Sequence, residues 1–238
     1  MRSIVLIPLA LCLAGCSVNI VMPVNRFDSP ETIGQPGVVK GEFGTQGVAQ
    51  IVLTEDPRST TVPNVTNPTI NSDRRMRVVG AYSALNSLDL EYRPPFGLSA
   101  KFQFIGSSYK SAKAGNFSVA ASIGAKYALN QYPDPMSRDT IQMRLNETMI
   151  DVALITGFRV ADAVLFYGGP FTTSDSFSGN WHDTTDISGS AKTTGLNAGV
   201  EFSASSFQGR IEYALGKTSS EDASKTVSSF GVSVGYLF

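Results

Sequence analysis

The chain has 238 residues, of which 42% are hydrophobic, 10% aromatic and 16% charged, with a formal net charge of −1. That length suits one domain, and the near balance of charge gives no general reason to expect nucleic acid as a partner. Charged residues are scarcer than the roughly 25% of an average soluble domain. Past the first sixteen residues, no apolar run approaches the roughly 20 residues that a spanning helix needs.

Met1-Arg2-Ser3 makes a short positive start, and Ile4 to Ala14 is an unbroken apolar run. The run is too short to span a bilayer as a mature helix, so residues 1–15 read as a secretory signal peptide. Leu13-Ala14-Gly15-Cys16 closes it with small residues before a cysteine. This tetrapeptide resembles the lipobox of bacterial lipoproteins, which implies cleavage before Cys16 and lipid attachment at its sulfur. Ser17 resembles the residue that follows the cysteine in lipoproteins sent to the outer membrane. Cys12 leaves with the signal, so the mature chain has no disulfide to hold it. Residues 16–37 read as a lipidated N-terminus and linker: Pro23, Pro30, Gly34, Pro36 and Gly37 punctuate them, and no period-two run appears.

From residue 38 onward the pattern is that of strands. Ten are expected, at about 38–54, 75–85, 88–93, 97–106, 116–129, 147–159, 162–169, 193–204, 207–216 and 226–238. In Asn116–Ala128 one face carries Phe117, Val119, Ala121, Ile123, Ala125 and Tyr127, while Ser, Gly, Ala and Lys126 occupy the other. Phe117 and Tyr127 are separated by roughly 33 Å of extended strand. Tilted by about 45°, that spans close to the roughly 25 Å apolar band between aromatic girdles of a transmembrane barrel. The same division recurs in Leu196, Ala198, Val200 and Phe202 against Asn197, Gly199, Glu201 and Ser203. A soluble lipocalin-like barrel, the competing reading, would show water a face rich in Lys, Glu and Asp rather than in Ser, Ala and Gly.

The last strand alternates Phe230, Val232, Val234, Tyr236 and Phe238 with Ser229, Gly231, Ser233, Gly235 and Leu237. An amphipathic final strand ending in Phe resembles the C-terminus of Gram-negative outer-membrane β-barrels. The stricter form of that signal has Gly where this chain has Ser233. The resemblance implies recognition by the barrel-assembly machinery, contact with outer-membrane lipid and a girdle formed by Phe117, Tyr127, Tyr236 and Phe238. It names no function. The expected fold class is therefore all-β: an antiparallel up-and-down transmembrane β-barrel over 38–238, with about ten strands. It would have eight if the third and fourth form a non-spanning hairpin. An even strand number puts both termini on the periplasmic side, with outer loops near 55–74, 130–146, 170–192 and 217–225.

Charges on the small-residue face fall inside such a barrel: Asp89, Glu91, Arg93, Lys101, Lys126, Asp151, Glu201, Arg210 and Glu212. A confined charge must pair or meet trapped water, and a barrel this narrow is filled by side chains, so a plugged interior with a structural ion network is expected. A narrow channel for small solutes is the alternative. Catalysis and metal binding find little support. His182 is the one histidine, Trp181-His182-Asp183 matches neither the deacylase nor the omptin pattern, and no cofactor or metal is implied. The aromatic content of 170–192 (Phe171, Phe177, Trp181) suggests either a loop that contacts a surface or envelope partner or folds over the barrel mouth, or aromatics that pack against the barrel rim. The sequence thus reads as a lipid-anchored barrel with a structural or interaction role in the cell envelope, and a barrel-rim enzyme is a further alternative.

Overall fold

The computed structural model describes residues 18–54, 62–93, 97–133, 141–182 and 185–238. Cys16 and the signal region lie outside these residues. Among those described, no helix is long and apolar enough to cross a membrane. The strands are β1 (Val18–Pro23), β2 (Val39–Thr54), β3 (Thr69–Leu85), β4 (Leu88–Tyr92), β5 (Leu98–Ile105), β6 (Phe117–Pro133), β7 (Ile141–Ala161), β8 (Val164–Trp181), β9 (Thr185–Ala204), β10 (Phe207–Ser220) and β11 (Ala223–Leu237).

Strands β2 to β11 pair antiparallel, each with its neighbour in sequence, and β2 pairs back onto β11, so the sheet closes in a ring of ten. Closure is confined to one end. It runs from Leu237↔Lys40 to Val232↔Thr45. Beyond Thr45, β2 leaves β11 and turns inward, and β1 pairs along its freed edge from Pro23↔Val48 to Val18↔Thr54. Gly47 marks the crossing, because a Cβ there would collide with the side-chain oxygen of Ser229 on β11. Both faces of β1 and of upper β2 are buried, and β1 reaches the inner face of β8 on the other side of the ring. The sheet is a scroll whose first turn lies inside the barrel.

Several sequence expectations need correction here. Residues 18–33, read as linker, are an inner strand followed by a buried segment; Val24, Asn25, Arg26, Phe27 and Asp28 are each at most 2% exposed. Proline and glycine signal irregular backbone but not where that backbone lies, and here it lies inside. Val18 lies at the Thr54 end of the barrel and Phe238 at the Val39 end, so the described chain starts and finishes at opposite ends. Residues 18–33 run through the interior between those two ends. The expected outer loops are also much shorter. Residues 170–181 and 185–192 belong to β8 and β9, residues 141–146 to β7 and 69–74 to β3, and β10 and β11 meet at a tight turn at Glu221-Asp222. Their Ser- and Thr-rich composition belongs to strands with a polar outer face. The third and fourth expected strands are β4 and β5, which are short but paired into the ring. Among the described residues, β3 above Gly80 pairs only with β2, and β6 above Ala125 only with β7.

Outward side chains change character along each strand. On β11 and just past its end, Phe238, Tyr236, Val234, Val232 and Phe230 are exposed, and beyond them Ser228, Thr226 and Ser224. On β9, Phe202 and Leu196 give way to Thr194, Lys192, Ser190 and Ser188. On β7, Phe158, Leu154, Val152 and Ile150 precede Asn146 and Arg144. An apolar belt therefore girdles the closed end, and a polar collar rises beyond it.

Candidate functional site

Among the described residues, buried polar chemistry is concentrated in the interior, and the N-terminal segment organises it. The chain enters as β1 with Ile20 and Met22 packed among Ile51, Leu145, Phe171, Phe177 and Trp181. It leaves strand geometry at Val24. Phe27 adopts a positive φ of 54°, a conformation uncommon for a non-glycine residue and sustained only by its surroundings. Those surroundings are specific. The backbone N–H groups of Arg26 and Phe27 donate to Glu212 at 2.7 and 2.8 Å, with Asn197 and Tyr167 donating to the same carboxylate at 3.1 and 3.2 Å. The Phe27 ring occupies the space above Gly231, where any Cβ would collide with it.

Below this point charges from the plug interlock with charges from the wall. Arg26 pairs with Asp151 and with Asp28 (3.1 Å), and Asp28 is also bound by Arg93, which holds Glu91. Lys101 lies 3.6 Å from Asp89 and 3.7 Å from Glu91, and donates to the carbonyl of Glu31. The Glu31 carboxylate pairs with Arg159 at 2.5 Å; Arg159 leads to Glu201, Arg210 and Glu42, and Glu42 also binds Arg77 and Lys40. Asp28 lies on the plug rather than on a wall strand.

Seven of the charges read from the sequence, Asp89, Glu91, Lys101, Asp151, Glu201, Arg210 and Glu212, are drawn into this network around the plug, as is Arg93. Lys126 is not. It stands higher on β6, bound to Glu147 at 2.5 Å. Sequence reasoning missed Lys40, Glu42, Arg77, Glu147 and Arg159, although Lys40, Glu42, Arg77 and Arg159 alternate with outward apolar residues such as Phe43, Val78 and Phe158 and could have been found that way. It also missed Arg26, Asp28 and Glu31, which carry no periodic signal. Phe117, Tyr127, Tyr236 and Phe238 are all exposed on the outer face, with the rings of Tyr236 and Phe238 edge-on at 5.0 Å. Phe171, Phe177 and Trp181 point inward and are buried, which corrects their reading as a partner-binding loop. His182 is exposed at the β8–β9 turn against Trp181, and Asp183 lies outside the described residues.

Little space is left. A cavity of about 20 Å³ lies between Arg26, Arg77, Arg93 and Asp151, room for about one water. At the Phe238 end, Tyr109 from the β5–β6 connection donates from its backbone to Thr32 and from its hydroxyl to Ser205, and packs with Ile33 and Leu237. Among the described residues, no group of three or more His, Cys, Asp or Glu is placed to hold a metal ion.

These features define the class: an antiparallel ten-stranded β-barrel with an apolar outer belt and an interior filled by its own N-terminal segment. No family model and no curated protein matches the chain. Among solved structures it is similar to the crystal structure of Ail, the attachment invasion locus protein of Yersinia pestis, at 13% identity over 86% of this chain and 100% of that one, with a TM-score of 0.39. It is also similar to the same protein in complex with the heparin analogue sucrose octasulfate, at the same identity and coverage and a TM-score of 0.42. The assignment to a barrel rests on the closed strand pairing of this chain.

Proposed function

We propose that this protein spans the outer membrane of a Gram-negative bacterium as a lipid-anchored, plugged β-barrel with a structural or interaction role at the cell surface. The reversal of the outer face carries the reading. Over the closed end it is a continuous belt of Phe, Tyr, Val, Leu and Ile, which water would penalise and acyl chains would accept. Beyond the belt it is Ser, Thr, Asn and Lys, as expected of a part standing in water. The belt along β11 and the residue after it covers the nine residues from Phe230 to Phe238, about 19 Å of height at 45° tilt. Phe238 in the final strand supports delivery by the assembly machinery, and the Leu-Ala-Gly-Cys motif supports lipid attachment at Cys16.

The filled interior favours a fixed envelope component over a channel. A solute would have to displace Arg26, Asp28 and Glu31 from buried partners, and each uncompensated charge is costly. The surface offered to a partner is then the polar outer face of β7–β10 above the belt. Membrane fractionation of a Cys16→Ser variant, with heat-modifiability on gels, tests the assignment. The variant should stay embedded and migrate as a folded barrel before heating. Release into the soluble fraction would refute spanning, and steady ion conductance in planar bilayers would refute the plug.

A further inference from the structure

The direction of β1 fixes where the amino terminus leaves the barrel. β2 starts at Val39, beside Tyr82 and near Phe238, and ends at Thr54, within the polar collar. β1 is antiparallel to it, with Val18 opposite Thr54 and Pro23 opposite Val48. The chain therefore descends through the interior, is held by Arg26, Asp28 and Glu31, and turns at Gly37, whose N–H donates to Ser83. Only then does it enter the wall as β2. Whatever precedes Val18 continues from the collar end.

Resting on the outer-membrane reading above, we infer that the mature amino terminus is threaded through the barrel and displayed on the outside, so that acyl groups on Cys16 meet the outer leaflet and not the inner one. Reach decides between the leaflets. From Thr54 to Val39 is about 50 Å along the strand, or about 35 Å of height at 45° tilt. Cys16 lies two residues before Val18, a reach of about 7 Å when extended. The inner leaflet is out of range while the plug is seated, and unseating it exposes every ion pair that Arg26, Asp28 and Glu31 make. The outer leaflet is nearer. On β3 the apolar belt ends at Met76, seven residues below Thr69, about 16 Å lower. Opening the first pairs of β1 closes most of that gap, and the β1–β2 register is already irregular between Val18 and Asn19.

A short epitope placed between Ser17 and Val18, after Asn64, or after Asp162 separates the outcomes. Antibody binding is read on intact cells and again after the outer membrane is opened. Threading predicts that the Val18 and Asn64 epitopes bind on intact cells to within twofold of the opened signal, while Asp162 binds only after opening. Binding at Asn64 on intact cells with Val18 silent until opening overturns the threading and leaves the barrel reading standing. Surface binding at Asp162 with Asn64 silent overturns both the orientation and the outward display. Because an insertion could dislodge β1, an untagged Val21→Cys/Gln50→Cys protein, altered deeper in β1 than the pairs that open, supplies a second readout. These opposed residues lie within disulfide distance of each other in an antiparallel pair. A reductant-sensitive crosslink in the membrane-embedded protein is expected, and its absence overturns the path.

Discussion

The two halves of this barrel solve the burial problem in opposite ways. Around the closed end, apolar side chains face out and charges face in; around the collar, Ser, Thr and Lys face out while Ile20, Ile51, Leu145, Phe177 and Trp181 face in. The same continuous strands do both. β11 passes from Val234 outward and Ser233 inward to Ser228 outward and Val227 inward without a break in its pairing to β10. Period-two alternation sets which residues share a face, and the solvent outside sets which face is apolar. The N-terminal segment matches each environment, apolar as β1 in the collar and charged from Arg26 to Glu31 below it.

The largest expected effect lies in the charged half. Arg210→Ala leaves Glu42 and Glu201 short of a partner in a closed space, and breaking a buried pair this way costs about 3–5 kcal/mol. The midpoint of unfolding in urea with lipid or detergent should fall accordingly, whereas an unchanged midpoint would mean that the interior is wet. In the apolar half, Ile20→Ala removes a fully buried side chain from the inner strand and should cost about 2–5 kcal/mol. A loss below about 0.5 kcal/mol, the range of ordinary surface changes, would place β1 outside the core.

The outer faces sharpen the contrast. Val234→Arg puts a charge on the belt and should cost about 2–4 kcal/mol if that face meets lipid, while Ser176→Arg on the collar should fall within about 0.5 kcal/mol. Equal costs at the two sites would erase the distinction.

The wall was legible in the sequence because alternation survives translation into structure. Phe117 to Tyr127 and Phe230 to Phe238 declare their outward face, and the small residues and Lys126 opposite them declare the interior. The plug was not legible. Residues 18–33 have no period, since a segment enclosed on all sides has no solvent face to alternate against, and proline at 23 and 30 reads the same in a loop as in a lumen. The upper strands were hidden for a related reason. Thr172, Ser174, Ser176 and Ser178 resemble loop composition until Phe171, Thr173, Asp175 and Phe177 are seen turned inward between them. Register with a neighbouring strand supplied what local pattern could not.

The central claim, an apolar belt against acyl chains below a polar collar in water, is tested most directly by fluorescence quenching in bilayers of brominated lipid. In a Trp181→Phe background, Val234→Trp places one indole on the belt and Ser176→Trp places one on the collar. Strong quenching at 234 with little at 176 is the predicted result. Quenching at 176 with none at 234 would contradict the account.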